Sequence, residues 1–246
     1  MESILSSFLP AIRSLTLPLT KEEMLTERFL IERAGELEMY YSPHNEYINT
    51  HAKVVMVGIT PGWTQLKTAY EQVIKGIEED HSHKQILEAA KIAAGFSGSI
   101  RKNLTDMLDQ LGLPELFNIE SSFSLFKENR PLLHTTSVIK YPVFIHGKNY
   151  TGHRPKIDQS DLLSYYAYQS FREELEQIEP YALIIPLGKT VEAVFEKLQE
   201  EKKLPRHTYL SGFPHPSGAN GHRMKQFNHN KNMLTSILQS WISTTT

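Results

Sequence analysis

The 246-residue sequence contains no cysteine. Disulfide frameworks, thiolate zinc sites, iron–sulfur clusters and cysteine nucleophiles are therefore excluded, and a reducing, cytoplasmic setting is the expectation. No apolar run approaches the roughly 18 residues that a membrane span needs. The amphipathic opening, MESILSSFLPAIRSL, lacks the basic stretch and apolar core of a signal peptide and reads as a surface helix. No low-complexity tract or long internal repeat stands out. Paired histidines (His81 with His83, His222 with His229) lack the spacing and the third ligand of a metal site, so no metal or cofactor is expected.

Acidic residues are missing from two long stretches. The total is near neutral, 26 Lys and Arg against 28 Asp and Glu. Residues 129–157 hold five basic side chains (Arg130, Lys140, Lys148, Arg154, Lys156), and residues 202–246 hold six (Lys202, Lys203, Arg206, Arg223, Lys225, Lys231). Neither stretch holds an acid, so all 28 acids fall in the other 172 residues, against 15 basic ones, a balance of −13. Seven of the eleven histidines also lie in the acid-free stretches. One edge of the folded chain should therefore be positive.

What is present alternates between strand-like and helix-like segments. Residues 21–39 place Met24, Phe29, Leu30, Ile31 and Leu37 near helical spacing and predict an outer helix. KVVMV (53–57) has the form of a buried parallel strand ending at Gly58. Residues 64–94 read as helix, broken near Gly76 and His81–His83, and 100–111 as a second amphipathic helix. Residues 132–141 are rich in β-branched side chains and predict a strand, followed by a Gly, Pro, aromatic and basic loop over 142–157. Further helices are expected over 158–178 (capped by Asp158 or Ser160), 189–201 and 224–242, and strands over 182–186 and 208–212. This order predicts an α/β fold, a three-layer α/β/α sandwich on a mainly parallel four-stranded sheet. It forms one domain over 1–246, with 1–50 as a helical extension on a core of 51–246.

Ligands of such sheets bind at the carboxyl ends of the strands. Gly58-Ile59-Thr60-Pro61-Gly62 follows the first strand of that sheet, and Phe213-Pro214-His215-Pro216-Ser217-Gly218 follows the last. Gly/Pro turns with free N–H groups, an imidazole and a hydroxyl suit a pocket for an anion or a base. Gly188-Lys189-Thr190 imitates the end of a P-loop, but Leu183 stands where that loop needs glycine.

In this order, GITPG and HPSG resemble the two motifs of the uracil-DNA glycosylase superfamily, the first closest to the GINPG of its mismatch-specific branch. Between them, Ala94-Gly95-Phe96-Ser97-Gly98 with LTDMLDQLGL, Thr136-Ser137-Val138-Ile139-Lys140 and LIIPLGKTVEAVF are similar to segments of the iron–sulfur-bearing branch. The resemblance spans residues 53–240 and implies hydrolysis of the N-glycosidic bond of a flipped uracil-like or modified base in DNA, by a monomer without cofactor. His215 then matches the neutral donor to the departing base, and Phe96 the stacking aromatic, with Tyr70 as a weaker candidate. Ile59, Gly62 and Ser217 would hold the base or a phosphate. Lys140, Lys148, Arg154 and Lys156 would face DNA, and Arg223 and Met224 stand where the family inserts a wedge. Two positions depart from the pattern. Thr60 stands where a water-placing Asp or Asn belongs (with Ile59 where another branch has Glu), and Ser137 stands where an Asn reads the base. These departures keep a second reading open: a catalytically weak or inactive module of the same fold that binds modified bases or DNA ends.

Overall fold

The computed structural model describes residues 3–245. In chain order it contains α1 (Leu5–Arg13), α2 (Lys21–Met24), β1 (Leu30–Ala34), β2 (Leu37–Tyr40), β3 (Val54–Gly58), α3 (Trp63–Glu78), α4 (His83–Ala94), α5 (Ser99–Asp109) and α6 (Leu113–Phe117). Next come β4 (Leu133–Ser137), β5 (Val143–Ile145), β6 (Lys148–Asn149), α7 (Asp161–Ser164), a π-helical turn (Tyr165–Ser170), α8 (Phe171–Leu175), β7 (Leu183–Pro186), α9 (Lys189–Glu200), β8 (Thr208–Tyr209) and α10 (Arg223–Thr245).

The architecture is α/β. Four parallel strands run in the order β4-β3-β7-β8. Every residue of β3 is buried, so both faces of the sheet need cover. Val55 and Val57 pack into a core shared with α3, α4 and α9, while Val54 and Met56 pack into another built with α5 and α10. Helices therefore lie on both faces, as the βαβ pattern predicts. Among the described residues, no helix is long and apolar enough to cross a membrane.

Two expectations are corrected. Residues 21–39 are not one helix, and 1–50 is not a helical extension. After the four residues of α2, the chain forms the antiparallel pair β1–β2. Gly35 sits in the two-residue turn with a positive φ of 61°, and the same apolar residues serve two short strands as well as one helix face. The loop at 142–157 also folds into strands. β5 and β6 pair across His146-Gly147, both with positive φ (49° and 70°), the backbone of a type I′ hairpin turn. β5 pairs with β2, giving a second sheet in the order β1-β2-β5-β6. The N-terminal segment is thereby fastened to the chain that leaves β4. Smaller differences concern length. β4 ends at Ser137, and the helix expected over 158–178 starts at Asp161, capped by Ser160 (Leu163 N to Ser160 Oγ, 3.4 Å).

Candidate functional site

A cavity of about 740 Å³ opens at the carboxyl ends of the parallel strands. It gathers Ile59, Thr60 and Gly62 after β3, Ser137 at the end of β4, His215 and Ser217 after β8, and Phe96 from the turn between α4 and α5. Seven of the predicted residues thus share one cavity, although they span more than 150 positions in the chain.

Its floor is built by close approach. Gly58 is paired in register with Ser137. A Cβ on Gly58 would lie 3.3 Å from Phe96 Cε1 and 3.5 Å from Ser137 Oγ, so a side chain here would crowd the ring and touch the hydroxyl. Phe96 holds a φ of +48°, a left-handed conformation uncommon for a bulky residue and concentrated at functional sites. Phe96 is 7% exposed and Ser137 6%. The Ser137 hydroxyl makes no hydrogen bond within the described residues and belongs to the cavity lining, while the neighbouring Ser97 Oγ is buried without a partner. A buried hydroxyl such as that of Ser97 is rare and calls for an explanation.

His215 stands between Pro214 and Pro216 on a fastened loop. The Ser217 N–H donates to its Nδ1 (3.3 Å), which fixes the ring proton on Nε2. Burial holds the imidazole below its ordinary pKa, so the ring is neutral at pH 7 and offers an Nε2–H donor. Asn220 donates to the His215 carbonyl (3.1 Å), and Asn103 of α5 donates to that of Pro216 (2.9 Å). Upstream, Glu192 Oε1 accepts the Gly212 N–H (2.6 Å) while Asn230 donates to the Gly212 carbonyl (2.7 Å). From behind, Gly188 (φ +89°) presses on the loop: a Cβ there would lie 2.8 Å from His215 Cβ.

Thr60 lines the cavity, but its hydroxyl is committed to backbone. It donates to the Tyr141 carbonyl (2.8 Å) and accepts from the Val143 N–H (3.2 Å), stapling the first motif to the start of β5. The Ile59 carbonyl accepts from Ile139 N (2.9 Å), and Gly62 caps α3.

The residues expected to contact DNA are not brought to the cavity. Lys140 is half-buried, its Nζ 5.9 Å from the Tyr141 ring centroid. Lys148 is exposed on β6 and Lys156 is exposed beyond it. Arg154 lines a separate depression with Glu32, Glu36 and Asp161. Arg223 Nη2 donates to Asn103 Oδ1 (3.3 Å), and Met224 projects from the first turn of α10, 40% exposed. Tyr70 is fully buried, its hydroxyl donating to the Tyr41 carbonyl, and cannot stack on a ligand here.

Ser97, from the segment that supplies Phe96, joins the wall, as do Asn149, His153 and Asn220, which no motif announced. Lys189 and Thr190, set aside as a failed P-loop, line it too. Glu192 is the carboxylate among the described lining residues, and its Oε1 is occupied by Gly212. Among the described residues there is no group of three or more His, Cys, Asp or Glu placed to hold a metal ion. Around Phe96 and His215 the cavity therefore offers a stacking ring, neutral hydroxyl and amide groups and an imidazole donor, with His153 and Lys189 also in its wall. That set suits a planar, uncharged heterocycle with hydrogen-bonding edges.

No family model matches the chain. Over 239 residues, covering 97% of this chain and 93% of the other, it is 50% identical to a Bacillus subtilis (strain 168) protein named "Uncharacterized protein YoxB".

Proposed function

We propose, for a chain that belongs to one family with Bacillus subtilis YoxB, a uracil-DNA glycosylase-like fold and the hydrolysis of the N-glycosidic bond of a uracil-like or modified base flipped out of DNA. One observation carries this reading: a neutral His215, its donor nitrogen set by Ser217, shares a cavity with the Phe96 ring and the Ser137 hydroxyl. Hydrolysis breaks the bond between the sugar C1′ and the base nitrogen, with the electron pair leaving on the base. The Nε2–H of His215 would hydrogen-bond the anion that develops there. Water then adds its oxygen to C1′, and its proton ends on the free base. Phe96 would stack on the base, and Ser137 would meet its edge with a hydroxyl that both donates and accepts. The test is incubation with single- and double-stranded oligonucleotides carrying uracil, mismatched thymine, deaminated purines or modified cytosines, with abasic sites scored. His215→Ala should lower the rate on the order of 10²–10³-fold. Full activity in that variant would sink the mechanism.

A second reading is favoured by Thr60. Its hydroxyl is spent on the Tyr141 and Val143 backbone, and the cavity's carboxylate is tied to Gly212. Among the described lining residues no other carboxylate is placed to stabilise a sugar cation, so the same cavity would serve a module that binds a base without cleaving it. Thr60→Asp or Thr60→Asn separates the two readings. A gain of cleavage in either variant supports the binding module; its absence from an active wild type supports the enzyme.

A further inference from the structure

We propose that Asn149 is a ligand-reading residue of the cavity, its carboxamide N–H donating to an acceptor oxygen of the nucleotide ligand. This rests on the nucleobase reading above and adds to it a determinant from outside the motif-bearing loops.

The second sheet has no part in the parallel core, yet it delivers Asn149 to the cavity wall. β6 is set by the hairpin turn at His146-Gly147 and by the pairing of Asn149 with Phe144. From there the Asn149 side chain reaches the start of α3, where its Oδ1 accepts the N–H of Trp63 (3.0 Å). A backbone N–H can only donate, so this bond assigns the carboxamide: the oxygen faces Trp63 and the nitrogen faces away. Nδ2 lies 3.3 Å from where a Cβ on Gly62 would stand, so the first motif's last glycine makes room for it. Asn149 is an exposed residue at the cavity's edge, and within the described residues its Nδ2 has no protein hydrogen-bond partner and is free to meet a ligand. The same cavity holds Ser137, more than nine-tenths buried and also without a partner. Near Asn149 the wall continues with Thr64, Gln65, Thr151 and His153, and carries no carboxylate there. An oriented donor on an acid-free wall matches an acceptor oxygen, which a nucleotide presents either as a base carbonyl or as a phosphate.

Asn149→Asp separates capping from reading. Aspartate keeps an oxygen for the Trp63 N–H and places negative charge at the N-terminus of α3, so the melting temperature should hold or rise. It removes the donor. Asn149→Ala removes the donor without adding charge. Wild type and both variants are titrated against a labelled single-stranded oligonucleotide containing uracil, with deoxyuridine and dUMP as competitors. Affinity should fall on the order of tenfold in both variants, with the Asp variant as thermally stable as wild type. Weakened binding of both competitors assigns the base carbonyl; weakened binding of dUMP alone assigns the phosphate; either bears the proposal out. Unchanged affinity in both variants, or a loss in the Asp variant alone, overturns it and leaves Asn149 a helix cap. A wild type that binds none of the three probes overturns the nucleobase reading and this inference with it.

Discussion

His134 and Ser137 stand three positions apart on β4, and they lead opposite lives. His134, fully buried, bonds Glu174 through Nε2 (2.9 Å) and takes the Asn49 N–H on Nδ1 (3.4 Å). Lys91, equally buried, donates to Asn45 Oδ1 (2.9 Å) in the same cluster. Ser137, at the strand's carboxyl end, has no partner and faces the cavity. In one region polar groups are matched inside the protein; in the other they are held ready for something outside it. Changes in the first should cost stability, and changes in the second should cost binding.

The largest expected effect is in the cluster. Burial alone would raise the Glu174 pKa, but the His134 hydrogen bond and the charges of Lys140 and Lys91 hold it down, to about 2. Glu174→Ala would leave Lys91 buried without that counter-charge. We expect a loss of about 3–5 kcal/mol, a fall in Tm of roughly 6–20 °C by thermal denaturation. Acid should act in the same direction. Burial and the charge of Lys91 lower the His134 pKa to about 4. In the range from 6.5 down to 4 the unfolded chain therefore takes up a proton that the folded chain does not, and stability falls. Glu174 extends the loss from about 4.5 down toward 2, where its carboxylate finally protonates. A Tm that stays flat between pH 6.5 and 4 would remove the claim that His134 is neutral in the fold.

Gly188→Ala comes next and lies between the regions. A Cβ there meets His215 Cβ at 2.8 Å on a backbone with φ +89°. Strain and displacement together should cost about 2–3 kcal/mol. Because the displaced atom belongs to the proposed donor, ligand binding should fall too. A variant of unchanged Tm and unchanged binding would show that the loop yields freely.

Thr60→Val tests on which side of the comparison Thr60 belongs. If its hydroxyl works as a staple, losing it strands the Tyr141 carbonyl and the Val143 N–H and costs about 1–2 kcal/mol. If it works on the ligand, Tm holds while turnover drops. The observed bonds predict the first outcome.

This mixture of outcomes tracks what could be read in the chain beforehand. The strand ends were legible because buried runs such as VVMVG stop at glycine or proline, which is how Gly58, Thr60 and His215 were singled out. The second sheet was not. Its β1–β2 half carries apolar residues that fit a helix face equally well, and its β5–β6 half turns on His146-Gly147, a weak hairpin signal beside Asn-Gly. The commitment of Thr60 was hidden because its partners lie 81 and 83 positions away. The charge of the acid-free stretches did not translate into a charged cavity. Among the described residues, none of their eleven Lys and Arg side chains lines it, and Arg130 turns inward to the Leu133 carbonyl (2.6 Å). Composition can locate a stretch without acids, but the direction each side chain takes is decided by packing.

The smallest expected effect on stability belongs to Ser137→Ala, and it is the sharpest test of the comparison. The substitution removes one oxygen that bonds nothing in the protein and leaves a methyl group beside Phe96 and Gly58. Tm should therefore move by no more than about 0.5 kcal/mol equivalent, since the lost hydroxyl has no partner in the protein. Binding of a uracil-containing oligonucleotide should weaken severalfold, since the lost hydroxyl is the group proposed to meet the base edge. A substantial loss of Tm would instead mean that Ser137 is a structural member of β4. The distinction drawn between His134 and Ser137 would then fail at the residue on which it rests.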